Sequence, residues 1–299
     1  MRCVNSLNRF SRLATVVLSV TAASVALPAL ADGKPSPFSL QAAWVSTDKA
    51  DVGDATLGRN LYMFDAKGSY ALSRQWSIGW GLGYDVLDYS WRTADGKLLG
   101  GAASPWSSIN RYNVSLNIGY RTGNWLFGFS PMLQYAWADT ASSSDARSWG
   151  LVASAMHRFD DGNLLGLGAI YLDDIGETRA LPFLAVRWQL TDSLTLANPF
   201  DAGFSGPAGL ELSYRFNPRW ELGLGSSRRS QRLLLNDDGQ TVEIDEWVSF
   251  LRLGWQLGQK VSLNAYAGYM FGGEMELGSG EREDLSAEGA GAIAFNVAF

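Results

Sequence analysis

The stretch WSIGWGLGYDV, residues 76–86, leaves few folds open. Trp76, Ile78, Trp80, Leu82, Tyr84 and Val86 share one parity, and Ser77, Gly79, Gly81, Gly83 and Asp85 share the other. A period of two makes a strand with two unlike faces. In a soluble sheet the apolar face would turn to the core. Gly79, Gly81 and Gly83 would then face water, where strands normally carry polar side chains. In a transmembrane barrel the polarity inverts: the aromatic face meets lipid, and the glycines and Asp85 look inward. There the glycines give bulkier side chains from across the wall room to project, or let the strand bend.

The same alternation recurs along most of the chain, for example over Tyr112–Tyr120, Trp125–Trp137, Leu210–Phe216 and Val261–Phe271. Short polar turns (SRQ 73–75, TGN 122–124, DDGN 160–163, TDS 191–193, NPR 217–219, GQK 258–260) carry the Gly, Pro, Asn and Asp that tight hairpins need. They alternate with longer segments at 47–58, 90–108, 138–146, 174–180, 200–207, 233–242 and 272–286. In an up-and-down meander this puts the short turns at one end and the long loops at the other, as in outer-membrane barrels. Trp76, Tyr120, Trp125, Phe159, Trp188, Phe216, Trp220 and Trp255 all sit beside short turns, where a periplasmic aromatic girdle belongs. The expected fold is an all-β, antiparallel up-and-down transmembrane barrel. Fourteen strands fit the pattern. The segment 194–199 is shorter than the ~9–11 residues a crossing needs, so twelve is the alternative.

Residues 1–31 read as a cleaved secretory signal: Arg2, Arg9 and Arg12, an apolar run from Leu13 to Leu27, and the exit Ala29-Leu30-Ala31. Residues 32–299 then form one barrel domain. The only cysteine, Cys3, lies in the signal, so no disulfide framework is expected. The whole chain carries a net charge of −6, and loss of three arginines makes it more acidic, which argues against nucleic-acid binding.

The chain ends GAIAFNVAF, with Ile293, Phe295, Val297 and Phe299 in phase. This looks like the terminal strand that the barrel assembly machinery of Gram-negative bacteria recognises. In the second half, LPFLAVRWQLTDSLTLANPF (181–200), GLELSYRFNPRWELGLG (209–225) and FLRLGWQLGQKVSLNAYAGYMF (250–271) follow one another. The succession resembles a family of uncharacterised bacterial outer-membrane proteins, a domain of unknown function. The resemblance covers about residues 180–299. It implies a barrel and an outer-membrane location, and no substrate.

Catalysis finds little support. Lipid-modifying barrel enzymes need a histidine base, because an unaided hydroxyl or water is a poor nucleophile. The single histidine, His157, follows the lipid-facing phase of Trp149, Leu151, Ala153 and Ala155 and sits by the periplasmic rim. An enzyme is therefore disfavoured, and no catalytic residue, cofactor or metal ligand set is assigned. LDDIGE (172–177), NDDG (236–239) and ERED (281–284) read as solvated loop charge.

By phase, Asp85, Arg111, Arg121, Arg187, Glu211, Arg215, Glu221, Glu246 and Arg252 line the lumen. Both signs are present, which suits cross-strand ion pairs bracing the wall; Glu211, Arg215 and Glu221, around the NPR turn, are expected to pair. Arg228, Arg229 and Arg232 stand at the outer end of a strand, at the level of lipopolysaccharide phosphates, which arginine forks suit. The leading expectation is a channel or passive diffusion path for small solutes, because a barrel of this strand number can leave an interior gap. The alternative is a structural or surface-interaction barrel with an occluded lumen.

Overall fold

The structure, a computed structural model, describes residues 37–199, 203–206 and 208–299. The expected signal, residues 1–31, lies outside them. The first eight strands are β1 (Phe38–Val52), β2 (Ala55–Ala71), β3 (Trp76–Arg92), β4 (Ser108–Thr122), β5 (Trp125–Ala138), β6 (Arg147–Arg158), β7 (Leu164–Asp174) and β8 (Glu177–Gln189). They are followed by β9 (Leu194–Ala197), β10 (Ala208–Asn217), β11 (Trp220–Leu234), β12 (Thr241–Gln256), β13 (Val261–Leu277), β14 (Arg282–Leu285) and β15 (Glu288–Ala298).

Each strand from β1 to β13 pairs antiparallel with the next, β15 also pairs with β13, and β15 returns to β1 with Ala298 opposite Ser39 and Ala290 opposite Thr47. The sheet closes, so it has no open edge along that seam. β14 and β15 are two pieces of one stave, broken at 286–287. There Asp51 and Ser286 stitch the gap, the Asp51 N–H donating to Ser286 Oγ at 2.7 Å. The barrel therefore has fourteen staves, the larger of the two expected counts, and the short β9 is one of them.

The outward polarity is that of a membrane protein. Leu167, Leu224 and Phe64 are 68%, 59% and 55% exposed, while Asp85 and Ser227 are wholly buried. Gly79, Gly81 and Gly83 do face inward, but the space they leave is used by the adjacent strand rather than from across the wall. Asn113 and Ser115 of β4 stand opposite Gly83 and Gly81 and lean over them; a Cβ on Gly81 would lie 2.6 Å from Ser115 Oγ.

The outer loops are shorter than the sequence suggests. β1 and β2 run to a turn at 53–54, where Gly53 has φ +55°, and β7 and β8 meet at Ile175-Gly176, both with positive φ. Strands that continue past the bilayer keep their backbone pairing but need no apolar outer face, so the alternation fades before the strand does. The long outer connections are 93–107, 139–146 and 198–207.

The outer end of the lumen is filled. Leu98, Leu99 and Trp106 from the 93–107 connection pack with Leu57, Ile109, Leu233, Val242, Ile244 and Met275 from strand ends. The β11–β12 hairpin has left the wall to do this. Leu234 forms a parallel bridge to Trp137 of β5, six staves away. Asp237 accepts from Ser142 N–H at 2.6 Å, and Gln240 donates to the Ala102 carbonyl at 3.0 Å. Both faces of β11 beyond Ser227 are consequently buried.

Candidate functional site

The wall is interrupted at β9. Ala197, Leu196 and Thr195 pair with Arg187, Trp188 and Gln189 of β8, and the same strand pairs with Glu211–Tyr214 of β10. Pro199 then ends the ladder, because it has no N–H to donate. Asn198 closes the end. Its backbone N–H donates to the Val186 carbonyl at 3.2 Å, and its side-chain oxygen accepts from Val186 N–H at 2.8 Å. Its amide nitrogen donates to the Leu184 and Gly209 carbonyls at 3.0 and 3.1 Å. One side chain thus joins β8 to β10 where the β9 backbone has run out. Above it, among the described residues, the outer part of β8 pairs only with β7, and β10 accompanies β11 only as far as Arg228.

The exposed side of β8 suits this setting. In an antiparallel strand alternate residues direct their N–H and C=O groups to the same neighbour. Pro182 therefore points, like Leu184 and Val186, toward the β9 side. A proline there removes a donor that would otherwise meet hydrocarbon unsatisfied. The level lies within the lipid band: Leu184 and Ala180 stand opposite Leu167 and Tyr171, both on the exposed apolar face.

Side chains bridge the outer end of the break. Arg179 of β8 donates to both carboxylate oxygens of Glu243 on β12 and reaches Glu177 at 2.8 Å. Arg232 of β11 pairs with Glu177 at 2.6 Å and Glu243 at 3.4 Å, and Ser230 donates to Glu243 at 2.9 Å. From Leu184 to Arg179 is five residues, about 17 Å of strand. Among the described residues, that height of wall is held by side chains instead of a backbone ladder.

Behind the break the inner wall is apolar. Met132, Val152 and Leu172 pack with the half-buried Ile170, Leu181 and Phe183. Glycines make this patch flat enough to fit: Phe183 lies over Gly168 and Leu172 over Gly150, where a Cβ would collide with them. Opposite, residues 203–206 between β9 and β10 lie inside the lumen. Phe204 is wholly buried, with ring centroids 6.1 Å from Phe250 and 5.5 Å from Tyr266, and Gly206 N–H donates to Ser227 Oγ at 2.9 Å.

Of the lumen candidates, Asp85 and Arg111 pair at 2.7 Å deep inside. Arg252 binds Glu211 and Glu221, each at 2.5 Å, and donates to Asn264 at 3.0 Å. Around the NPR turn Arg215 pairs with Glu221, at 3.9 Å, while Glu211 is held by Arg252 of β12 rather than by Arg215. Glu246 is held by Arg59, at 2.7 Å, and Arg229, at 3.8 Å. Arg121, Arg187 and Arg215 are exposed at the short-turn end. The proposed lipopolysaccharide contacts are corrected. Arg228, Arg229 and Arg232 are turned inside with the folded hairpin and are 7%, 10% and 12% exposed, against Asp245, Glu246, and Glu177 with Glu243.

The girdle aromatics form contacts along the short-turn rim. Trp76 meets Tyr120 at 4.6 Å, Trp220 stacks on Trp255 at 5.1 Å, and Phe159 meets Trp188 at 5.3 Å. His157 lies in this rim between Trp125 and Phe159, at 5.1 and 4.8 Å, on the lipid side. Ile293, Phe295 and Phe299 are exposed outward on the last stave. Asn198, Arg59, Arg179 and Phe204 were not singled out in the sequence. Only the Asn-Pro pair after a four-residue strand carried a signal.

Residues 150–292 match a family described as a domain of unknown function (DUF6268). The match falls on the second half of the barrel. It begins within β6 and ends within β15, so it contains β9, Asn198, the inward 203–206 segment and the folded hairpin. It covers most of the region, 180–299, that resembles uncharacterised outer-membrane proteins. No curated protein matches the chain. Among solved structures, the COG4313 outer membrane channel from Pseudomonas putida F1 is 11% identical, with 91% of this chain and 99% of that one covered and a TM-score of 0.49. The Pseudomonas putida toluene transporter TodX is 12% identical, with 95% of each chain covered and a TM-score of 0.43. A Pseudomonas aeruginosa FadL homologue is 9% identical, with 88% and 90% covered and a TM-score of 0.36.

Proposed function

We propose that this chain is an outer-membrane channel through which small apolar solutes pass by way of the gap between β8 and β10. The observation that carries the reading is the four-residue β9, which ends under Asn198 beside the apolar inner patch of Ile170, Leu181 and Phe183. An apolar solute dissolved in the outer leaflet would meet that patch without crossing a charged mouth. The filled outer end supports a sideways route over an axial one. Water-soluble solutes would have to pass the packed outer core and the Arg252 and Asp85 ion pairs. The acidic chain, the outward aromatic girdle and the terminal aromatic strand support placement in the outer membrane of a Gram-negative bacterium, with assembly by its barrel machinery.

The test is uptake by intact cells expressing the protein, with a radiolabelled monoaromatic hydrocarbon and a hexose side by side. The channel reading expects faster hydrocarbon entry and unchanged hexose entry. One observation favours the second reading, a closed structural barrel: the ion bridge from Arg179 to Glu243 across the break. Hydrocarbon entry no faster than in cells lacking the protein would favour it.

A further inference from the structure

Arginines in the outer half of the interior each sit against a carboxylate, as Arg59, Arg111, Arg179 and Arg232 show. At the periplasmic ends of β4, β6 and β8 this changes. Arg121, Arg158 and Arg187 form no ion pair among the described residues, although each lies on the lumen side of its strand. Arg158 shares the parity of the buried Val152 and Met156, and Arg187 that of Phe183 and the buried Arg179. Register places Arg158 and Arg187 on either side of Leu164, directly opposite it. Two strand spacings separate them, about 10 Å.

The apolar patch lies directly above on the same strands. Phe183 and Arg187 are four residues apart on β8, about 13 Å. One interior wall thus runs from apolar surface to uncompensated positive charge. That gradient fits a molecule with an apolar body and one acidic group. Guanidinium forks match carboxylate geometry, and cations of a single sign at a lumen mouth favour anions.

We infer that the β6–β8 wall binds amphipathic organic carboxylates, the apolar body against Ile170 and Phe183 and the carboxylate between Arg158 and Arg187. The inference deepens the channel reading and rests on it for the passage of the bound acid. A carboxylate drawn down the apolar wall would be held at the periplasmic exit and released to water there.

Binding is measured by titrating octanoate, 1-octanol and acetate into the folded, detergent-solubilised barrel. The expected result is that octanoate binds at least tenfold tighter than either. The double variant Arg158→Gln/Arg187→Gln should weaken octanoate about tenfold and leave octanol unchanged. Phe183→Ser should weaken octanoate and octanol alike. Retained heat-modifiable migration in gels shows that each variant is folded, as expected for one half-buried and one exposed arginine without ion pairs among the described residues. Equal affinity for octanoate and octanol, or octanoate binding unaffected by the double variant, overturns the inference. Binding does not depend on transport. A barrel that binds octanoate through these arginines yet speeds no solute entry loses the channel reading and keeps the site.

Discussion

Asn198 satisfies three groups that a longer β9 would have paired: the Val186 N–H and the Leu184 and Gly209 carbonyls. Each sits at membrane depth, where an unpaired backbone group is costly. Asn198→Ala leaves the hydrogen bond from its own backbone N–H intact and removes the three made by its side chain. The expected loss is about 1–3 kcal/mol, read as a lower urea midpoint with an unchanged slope. Faster hydrogen exchange at Val186 should accompany it. An unchanged midpoint together with unchanged exchange would mean that the break has no such closure. The interior ion pairs follow the same logic of satisfaction. Arg252 with Glu211 and Glu221, and Arg59 with Glu246 and Glu288, neutralise charges that water scarcely reaches, so removing one partner strands the others.

Among the elements, the β11–β12 hairpin decides whether the barrel is open at its outer end. Its tip crosses to β5, and its side chains divide between two clusters. Arg229 and Glu246 face Arg59, while Arg232 and Glu243 face Glu177 and Arg179. Leu233 and Val242 are packed in the outer core. Replacing both with Ser removes apolar area worth about 2 kcal/mol per side chain and should release the tip. The predicted outcome is a rise in ion conductance in planar bilayers over the wild-type protein. Conductance that stays at the wild-type level in a folded double variant would place the axial block elsewhere. This hairpin explains the error over Arg228, Arg229 and Arg232. Their parity and level were readable, but the inward fold of a whole hairpin was not, because it depends on contacts with Trp137, Ala102 and Ser142 far away in the chain.

At the scale of the molecule, the inversion seen in WSIGWGLGYDV holds around the barrel: apolar side chains outward, polar and small ones inward. That much was legible because lipid imposes a period of two on every crossing. The fourteen staves, the girdle from Trp76 to Trp255, the outward phase of Ile293, Phe295 and Phe299, and the inward phase of Asp85 and Glu211 all follow from it. The break at β9 was legible only as a strand too short to cross. Its closure by Asn198, its ion bridge and the entry of Phe204 into the lumen are tertiary facts with no periodic mark. Cys3 lies in the expected signal and the described residues contain no cysteine, so with Cys3 replaced by Ser a single one introduced there can be labelled alone. The most direct measurement is hydrocarbon uptake by cells carrying Leu181→Cys, before and after reaction with a bulky membrane-permeant maleimide, with Leu165→Cys on the lipid face as control. A path through the break predicts that labelling at 181 reduces uptake to that of cells lacking the protein, while labelling at 165 leaves it unchanged. Uptake that survives full labelling at 181 would contradict it.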